Sequence, residues 1–163
     1  MKLKYALSMV LLAIGSAFRI GSREECHNVA STVGTHENGK LTYYAQTSAI
    51  TQRYALVKKG TADNQIALGD ATTRPLGVVL DEPGIDEAAA VAILGAVPGT
   101  VKMVANAAVT AGAMVYTAAA GKVSPTYGAT LFLVGRALTA AAADGDLIEV
   151  APCFPLINAA ATL

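Results

Sequence analysis

The sequence contains no tryptophan, and aromatic residues make up only 6% of its 163 residues. Ligand pockets are walled largely by hydrophobic and aromatic side chains. Apolar residues nevertheless reach 53% of the chain, and alanine is the commonest of them. Small side chains suit tight turns, close sheet packing and flat protein–protein contacts. The composition therefore argues against an enzyme with a deep pocket or a small-molecule substrate, and it favours a protein that binds other proteins.

Charged residues are also scarce. They account for 15% of the chain, and 12 basic residues balance 12 acidic residues, which gives a formal net charge of zero. Binding to nucleic acid needs a basic excess that neutralises phosphates, and no such excess is present. A surface with so little charge repels copies of itself only weakly. We therefore expect no nucleic-acid partner, and we expect much of the surface to be covered in an assembly.

Cysteine and histidine each occur twice, as Cys26, Cys153, His27 and His36. Two distant cysteines are too few for a disulfide scaffold, and whether they pair is left open. The four residues lack the Cys and His spacings that are typical of zinc sites. A nucleophilic pair of Cys26 and His27 is disfavoured because adjacent side chains of an extended chain point to opposite faces. We predict no metal site and no cofactor.

The acidic and basic pairs have simple structural interpretations. Asp144-Gly145-Asp146 is typical of a hairpin turn, and Lys58-Lys59 is typical of a solvated turn edge. Residues 81–87 (DEPGIDE) indicate a solvated acidic turn rather than a metal site. The G-x-S-x-G, P-loop and H-E-x-x-H motifs are absent. We therefore predict no catalytic, cofactor-binding or metal-binding residues. A small β-barrel hydrolase stays an alternative only if folding brings ionisable groups into a pocket.

Residues 108–150 carry the clearest structural signal, which is a series of short apolar runs separated by turns. The runs 114–117, 131–134 and 147–150 are each about four residues long, and glycine-bearing turns such as Ala120-Gly121-Lys122 separate them. A helix would repeat apolar residues every three or four positions without these glycines. The pattern predicts a small β unit.

An earlier part of the chain has the same pattern, which indicates an internal duplication. The matching segments are 49–51 with 108–110, 54–57 with 113–116 and, after a gap of one residue, 75–80 with 133–138. Both copies end in G-x-x-L. Two copies are too few for a solenoid, so a closed or nearly closed barrel is expected.

The predicted fold class is mainly β, with a small β-barrel or β-tulip-like domain built from two related strand-turn-strand modules. The predicted divisions are an N-terminal arm over 1–40, a β domain over 41–151 with copies at 49–82 and 108–141, and a C-terminal tail over 152–163. Val97-Pro98-Gly99-Thr100 is expected to form a hairpin that joins the copies. Pro152 and Pro155 are expected to end strand pairing after Val150.

Residues 1–22 (MKLKYALSMVLLAIGSAFRIGS) have two interpretations. Two lysines, an apolar segment over 5–14 and the small residues after it are typical of a secretory signal. The segment is short for a membrane span, which needs about 20 apolar residues. We expect a retained, extended or partly helical arm that lies on a partner. The alternative is the signal sequence of a secreted or envelope-associated bacterial β protein.

Several segments resemble a family of capsid decoration, or cement, proteins of tailed bacteriophages. The segments are GVVLDE at 77–82, VPGTVKMVA at 97–105, AVTAGAMVYTAAAGKV at 108–123 and ALTAAAADGDLIEV at 137–150. The resemblance covers about two thirds of the chain, over residues 45–150, and the residues before 41 lie outside it.

This resemblance implies a structural virion protein on the outer surface of the phage capsid. Its implied partners are the major capsid protein and neighbouring copies of itself in a homo-oligomer. The implied mechanism is mechanical, in that the protein stabilises the head by bridging capsid subunits. Members of the family supply no catalytic residues to carry over, so the implied protein is not an enzyme.

Overall fold

The computed structural model describes residues 40–46 and 48–157, in which almost all regular structure is β-strand. The strands are β1 Lys40–Ala45, β2 Leu56–Lys59, β3 Gln65–Leu68, β4 Gly77–Val79, β5 Ala88–Ile93, β6 Val101–Val104, β7 Met114–Thr117, β8 Val123–Ser124, β9 Phe132–Ala137 and β10 Leu147–Ile157. One short 3-10 turn, Ala119–Gly121, precedes β8. The mainly-β prediction is confirmed. Of the predicted N-terminal arm, residues 1–39 lie outside the described residues, and Lys40 begins β1.

The first five strands form a closed barrel, which we call the first module. Their order is β1-β3-β2-β4-β5, and β5 closes the barrel by antiparallel pairing with β1. The β1 and β3 strands are parallel, and the remaining pairs are antiparallel. Alternate side chains point inwards and are mostly valine, isoleucine and alanine, which fit a narrow barrel. The buried residues inside it include Ala45, Val57, Ile66, Val79 and Val91.

The last five strands form a sheet, which we call the second module. Their order is β6-β10-β9-β7-β8, and every neighbouring pair is antiparallel. The two outer strands approach each other at one point, where Ala105 and Val123 form a parallel bridge. In the first module, the corresponding contact is the parallel pairing of β1 with β3. The second module is therefore a barrel that is only just closed.

The two modules have the same strand order, which confirms that the domain consists of two related modules. Strands β6 to β10 correspond in sequence and position to β1 to β5. In the first module Val57 pairs with Gly77, and in the second Val115 pairs with Gly135. The glycine of each G-x-x-L segment therefore occupies the same place in its own sheet.

Backbone hydrogen bonds repeat in the same way. The amide of Tyr54 donates to the Val79 carbonyl at 2.9 Å, and the amide of Gly112 donates to the Ala137 carbonyl at 2.8 Å. Tyr54 and Gly112 also share a positive φ, of 64° and 87°. A positive φ is unfavourable for tyrosine, so tertiary packing holds this residue in place.

The alignment of the two copies needs one correction. Ile50 and Val109 donate backbone hydrogen bonds to equivalent loop carbonyls at 2.9 and 3.0 Å, so these two residues correspond. Tyr54 corresponds to Gly112 rather than to Ala113, which the sequence match assigned to it. The one-residue gap therefore lies between residues 51 and 54, in the turn before β2, where a deletion disturbs no strand.

One apolar core joins the modules. Leu56, Val78 and Leu94 of the first module pack in the same cluster as Met103 and Ile148 of the second. Each of these side chains is at most 2% exposed. Burial of a large aliphatic side chain contributes about 2 kcal/mol, so this shared cluster opposes separation of the modules.

The prediction that a hairpin joins the two copies is wrong. β5 pairs with β1 and β4, whereas β6 pairs with β10, so the Val97-Pro98-Gly99-Thr100 segment connects two modules rather than two paired strands. Its turn character is nevertheless observed, because Gly99 has a φ of 86°. The Pro98-Gly99 pattern correctly predicted the backbone conformation of Gly99, but it carried no information on which strands pair.

The expectation that pairing ends after Val150 is also wrong. β10 continues to Ile157 beside β9, with a register shift between Pro152 and Leu156. β6 pairs with β10 only as far as Val150, so the prolines lie where β10 has lost one of its two strand neighbours. Proline is tolerated at such edges and at bulges because no ladder hydrogen bond is lost there. Residues 158–163 lie outside the described part of the chain.

No helix in the described part of the chain is long and apolar enough to cross a membrane.

We predict that Gly77→Ala and Gly135→Ala each destabilise the fold. A Cβ at either position would lie 2.4 Å from a backbone carbonyl oxygen of the neighbouring strand, that of Ala92 or Ala151. Relieving this clash requires backbone movement, so we expect a loss of about 2 kcal/mol in the free energy of unfolding, measured by urea denaturation.

The matched control is Gly112→Asn. Gly112 has a φ of +87°, and no atom lies within 4 Å of a Cβ built on it. Asparagine tolerates this backbone conformation, so the expected loss is below about 1 kcal/mol. Losses no larger than the control at both Gly77 and Gly135 would contradict the close strand approach.

Candidate functional site

The cysteine and histidine residues considered for metal binding are not brought together within the described part of the chain. Cys26, His27 and His36 lie outside it. Cys153 lies in β10, where its Sγ is 3.8 Å from the Leu133 carbonyl oxygen, and burial raises the pKa of its thiol. Within residues 40–46 and 48–157, no three Cys, His, Asp or Glu side chains lie close enough together to hold a metal ion.

The acidic loops serve the local backbone in both modules. An Asp146 Oδ2 accepts hydrogen bonds from the amides of Ala142 and Ala143 at 2.8 and 2.9 Å. At the corresponding place in the first module, Glu87 Oε2 accepts from the amide of Gly84 at 2.8 Å. These carboxylates hold the loop before the last strand of each module. This arrangement accounts for Asp146 and Glu87 as structural residues of these loops.

The loop between β3 and β4 is held by a single carboxylate. Asp70 Oδ1 accepts hydrogen bonds from the amides of Thr72 and Thr73 at 3.0 and 2.7 Å, and Oδ2 accepts from the Thr73 hydroxyl at 3.0 Å. Lys58 Nζ lies 2.7 Å from the same Oδ2. This network fixes the backbone immediately before Arg74, so Arg74 leaves the loop at a defined place.

A buried threonine connects this loop to the second module. Thr117 of β7 is 0% exposed, and its hydroxyl donates to the Ala71 carbonyl at 2.5 Å. The same oxygen accepts the amide of Phe132 at 3.0 Å. One side chain therefore joins the loop of the first module to the start of β9 in the second.

Arg74 itself lies at the junction between the modules. Its guanidinium is 5.8 Å from the centroid of the Phe132 ring and 5.7 Å from that of Phe154. Phe132 is buried, whereas Phe154 is 58% exposed. Phe154 also packs on Gly95, because a Cβ built on that glycine would lie 3.0 Å from the Cβ of Phe154. The cation is thus held between a buried ring and an exposed ring.

An apolar row lies on one face of the sheet in the second module. Leu156 pairs with Leu133, and Leu133 pairs with Tyr116, so the three side chains share one face of the sheet. Tyr127 packs edge-on against Tyr116 with ring centroids 5.9 Å apart. Leu156 and Tyr127 are more than half exposed. We call Arg74, Phe154 and this row the junction surface.

Comparison of the two modules shows that the fold does not require this surface. The position of Tyr116 in β7 is occupied in β2 by Lys58, which is charged and paired with Asp70. β5 ends at Ile93, which corresponds to Pro152, so the last five residues of β10 have no counterpart in the first module. Phe154, Leu156 and Ile157, which are each more than half exposed, all lie in this addition. A large exposed apolar surface of this kind is typical of a protein-binding site.

The junction surface was not predicted from the sequence. Arg74, Phe132 and Phe154 are separated by 58 and 22 positions along the chain, and only the tertiary fold brings them together. One usable signal was present, namely the sequence FPLI at 154–157, whose apolar residues continue beyond the end of the duplicated pattern. Pro152 and Pro155 are what led the sequence analysis to predict a tail there.

Comparisons with known proteins agree with this architecture. The family model described as phage cement protein matches residues 34–152. Among solved structures, the head fiber gp8.5 N base of bacteriophage phi29 is similar, with a TM-score of 0.55 and 18% sequence identity. That match covers 73% of this chain and 97% of the phi29 chain, and it concerns the fold. A search of curated proteins found no match.

The fold and the family match define a structural protein of the phage head, because the matched residues make up well over half of the chain. The chain belongs to the phage cement protein family. The family resemblance predicted from the sequence is therefore confirmed, and it makes the protein a component of the virion at its capsid.

We predict that the Asp70 carboxylate contributes stability that depends on pH. The Lys58 ammonium, which donates a hydrogen bond, is the largest influence and holds the pKa of Asp70 well below its ordinary value of 3.8. The hydrogen bonds from Thr73 and Thr72 act in the same direction, and burial opposes them. A lowered pKa means that the unfolded state binds more protons, so this stability is complete above pH 3.8 and is lost as the pH falls towards the folded-state value.

The test compares the wild type with Asp70→Asn by urea denaturation at about pH 7 and about pH 2. We expect the variant to be less stable at the higher pH by up to about 1 kcal/mol, since the pair is partly exposed, and the difference to shrink at the lower pH. A difference that is the same at both values would contradict the proposed role of the charge.

We predict that Thr117→Val destabilises the protein by about 2 kcal/mol because it leaves the buried amide of Phe132 without its acceptor. The two side chains have nearly the same shape, so packing changes little. Thr110→Val is the control, because Thr110 is exposed and we expect a change within about 0.5 kcal/mol. Equal unfolding free energies for the two variants in urea would rule out Thr117 as a structural link.

Proposed function

We propose that this protein binds the outside of the phage head and bridges neighbouring subunits of the major capsid protein. Family membership carries this proposal. The proposal is also supported by the low charge of the chain and by an exposed apolar surface that the duplicated fold does not require. A protein with such a surface gains free energy by covering it.

The proposed mechanism is thermodynamic linkage. A protein that binds the assembled shell but not the separated subunits adds its binding free energy to the stability of the shell. Interfaces of about 1,600 Å² are sufficient for specific binding, and many copies on one shell multiply the effect. Binding across two subunits is essential to this mechanism, because binding within one subunit would not oppose their separation.

We further propose that the protein acts as a homo-oligomer and that residues 1–40 form an arm that lies on a partner. The neutral charge of the chain is consistent with self-association, since it gives little repulsion between copies. We assign the arm a binding role because its residues 5–14 are apolar.

We predict that the full-length chain raises the temperature at which phage heads release their DNA. Heads that lack the protein would be incubated with it, and bound protein would be measured by sedimentation. Bridging predicts saturable binding to heads, a higher release temperature and much weaker binding to isolated capsid subunits. Equal affinity for isolated subunits and assembled heads, with no change in release temperature, would contradict bridging.

A further inference from the structure

Arg74 is a cation without an anion among the residues that the structure describes. The two ion pairs in this part of the chain join Lys58 to Asp70 and Lys122 to Asp144. Arg74 instead lies over Phe132 and Phe154, and it is exposed. Cation–π contacts do not use up the guanidinium N–H groups as hydrogen-bond donors. These donors are available to a partner.

The surroundings of Arg74 are fixed, and the part of β10 beside it carries no charge. The loop before it is held by Asp70 and Thr117, and the rings beside it belong to β9 and β10. Residues 150–157 (VAPCFPLI) contain no charged side chain. A guanidinium that two rings already hold in place loses little conformational entropy when it forms a further bond. The arrangement is that of a preorganised donor set in an apolar surface.

We propose that the junction surface docks on the major capsid protein, at a site where a carboxylate lies among apolar side chains. This inference rests on the proposed function, and it names the surface and the chemistry of the partner. The apolar side chains of the partner would cover Phe154 and Leu156, and the carboxylate would accept two hydrogen bonds from Arg74. Guanidinium and carboxylate groups match in this bidentate geometry.

Charge complementarity determines which partner fits. Docking removes water from Arg74, and a buried cation without an anion is costly, so the partner has to supply the negative charge. A second copy docked on the same surface about a twofold axis would bring Arg74 towards Arg74. Asp70, the acidic residue closest to Arg74 in the sequence, is already paired with Lys58. The surface is therefore complementary to an acidic, apolar site on a different protein.

The test measures binding of full-length variants to heads that lack the protein. Arg74→Gln removes the charge, Arg74→Lys keeps it without the planar fork, and Phe154→Ala removes the exposed ring. Lys59→Gln is the matched control, because it removes one positive charge from an exposed residue of β2 in the first module. Thermal unfolding and sedimentation of each free variant establish its fold and oligomeric state.

We expect Arg74→Gln to weaken binding by about 30-fold or more, Arg74→Lys and Phe154→Ala to weaken it by about 10-fold, and Lys59→Gln to change it by less than about 2-fold. Wild-type affinity in folded Arg74→Gln and Phe154→Ala proteins would overturn the inference while leaving the proposed function intact. A change in oligomeric state at unchanged affinity would also overturn it, because the surface would then join copies of this chain. Failure of the wild type itself to bind heads would instead refute the proposed function.

Discussion

The shared apolar core between the two modules is the constraint on which the rest of the structure depends. Each module alone is a sheet of short strands, and the second is closed at only one bridge. Met103 and Ile148 complete their burial against Leu56 and Val78 of the first module. Protein cores are close-packed, so such a cluster admits essentially one relative orientation of the modules. Surfaces formed by both modules are therefore as well defined as those within either one.

The duplication explains why the junction surface is informative. Two modules with the same strand order provide an internal comparison, because a residue that this strand order requires should recur in both. Gly77 and Gly135 recur with the same close approach of a neighbouring carbonyl. Lys58 and Tyr116 occupy equivalent positions but differ in chemistry, and the end of β10 occurs in one copy alone. The differences, rather than the shared features, are therefore the features that the strand order does not require.

Much of the fold could be predicted from the sequence because the relevant signals are local. Short apolar runs, glycine-bearing turns and a repeated G-x-x-L segment predicted a β domain with two related modules, and the structure confirms this. Strand partners were harder to predict, since the Pro98-Gly99 turn does not reveal whether its flanking strands pair. Pro152 and Pro155 were misleading for a similar reason. Their effect depends on whether β10 still has a neighbour on both sides, which is a tertiary property.

The junction surface could not be predicted because its residues come from distant segments with unremarkable local sequences. Arg74 follows a threonine-rich loop, and nothing in that loop identifies the two phenylalanine rings beside it. The family resemblance correctly predicted a protein of the phage head, but it did not indicate which face binds the capsid. The capsid-binding face that we propose rests on the geometry of the loop, β9 and β10 together.

The central claim is that the junction of the two modules is the face that meets the capsid. Hydrogen–deuterium exchange of the full-length protein, free and bound to heads, tests this claim most directly, because it reports protection at each backbone amide. Our account predicts that binding slows exchange in residues 70–74 and 153–157 and leaves the β2–β3 hairpin of the first module unchanged. Protection of the β2–β3 hairpin with unchanged exchange at the junction would contradict it.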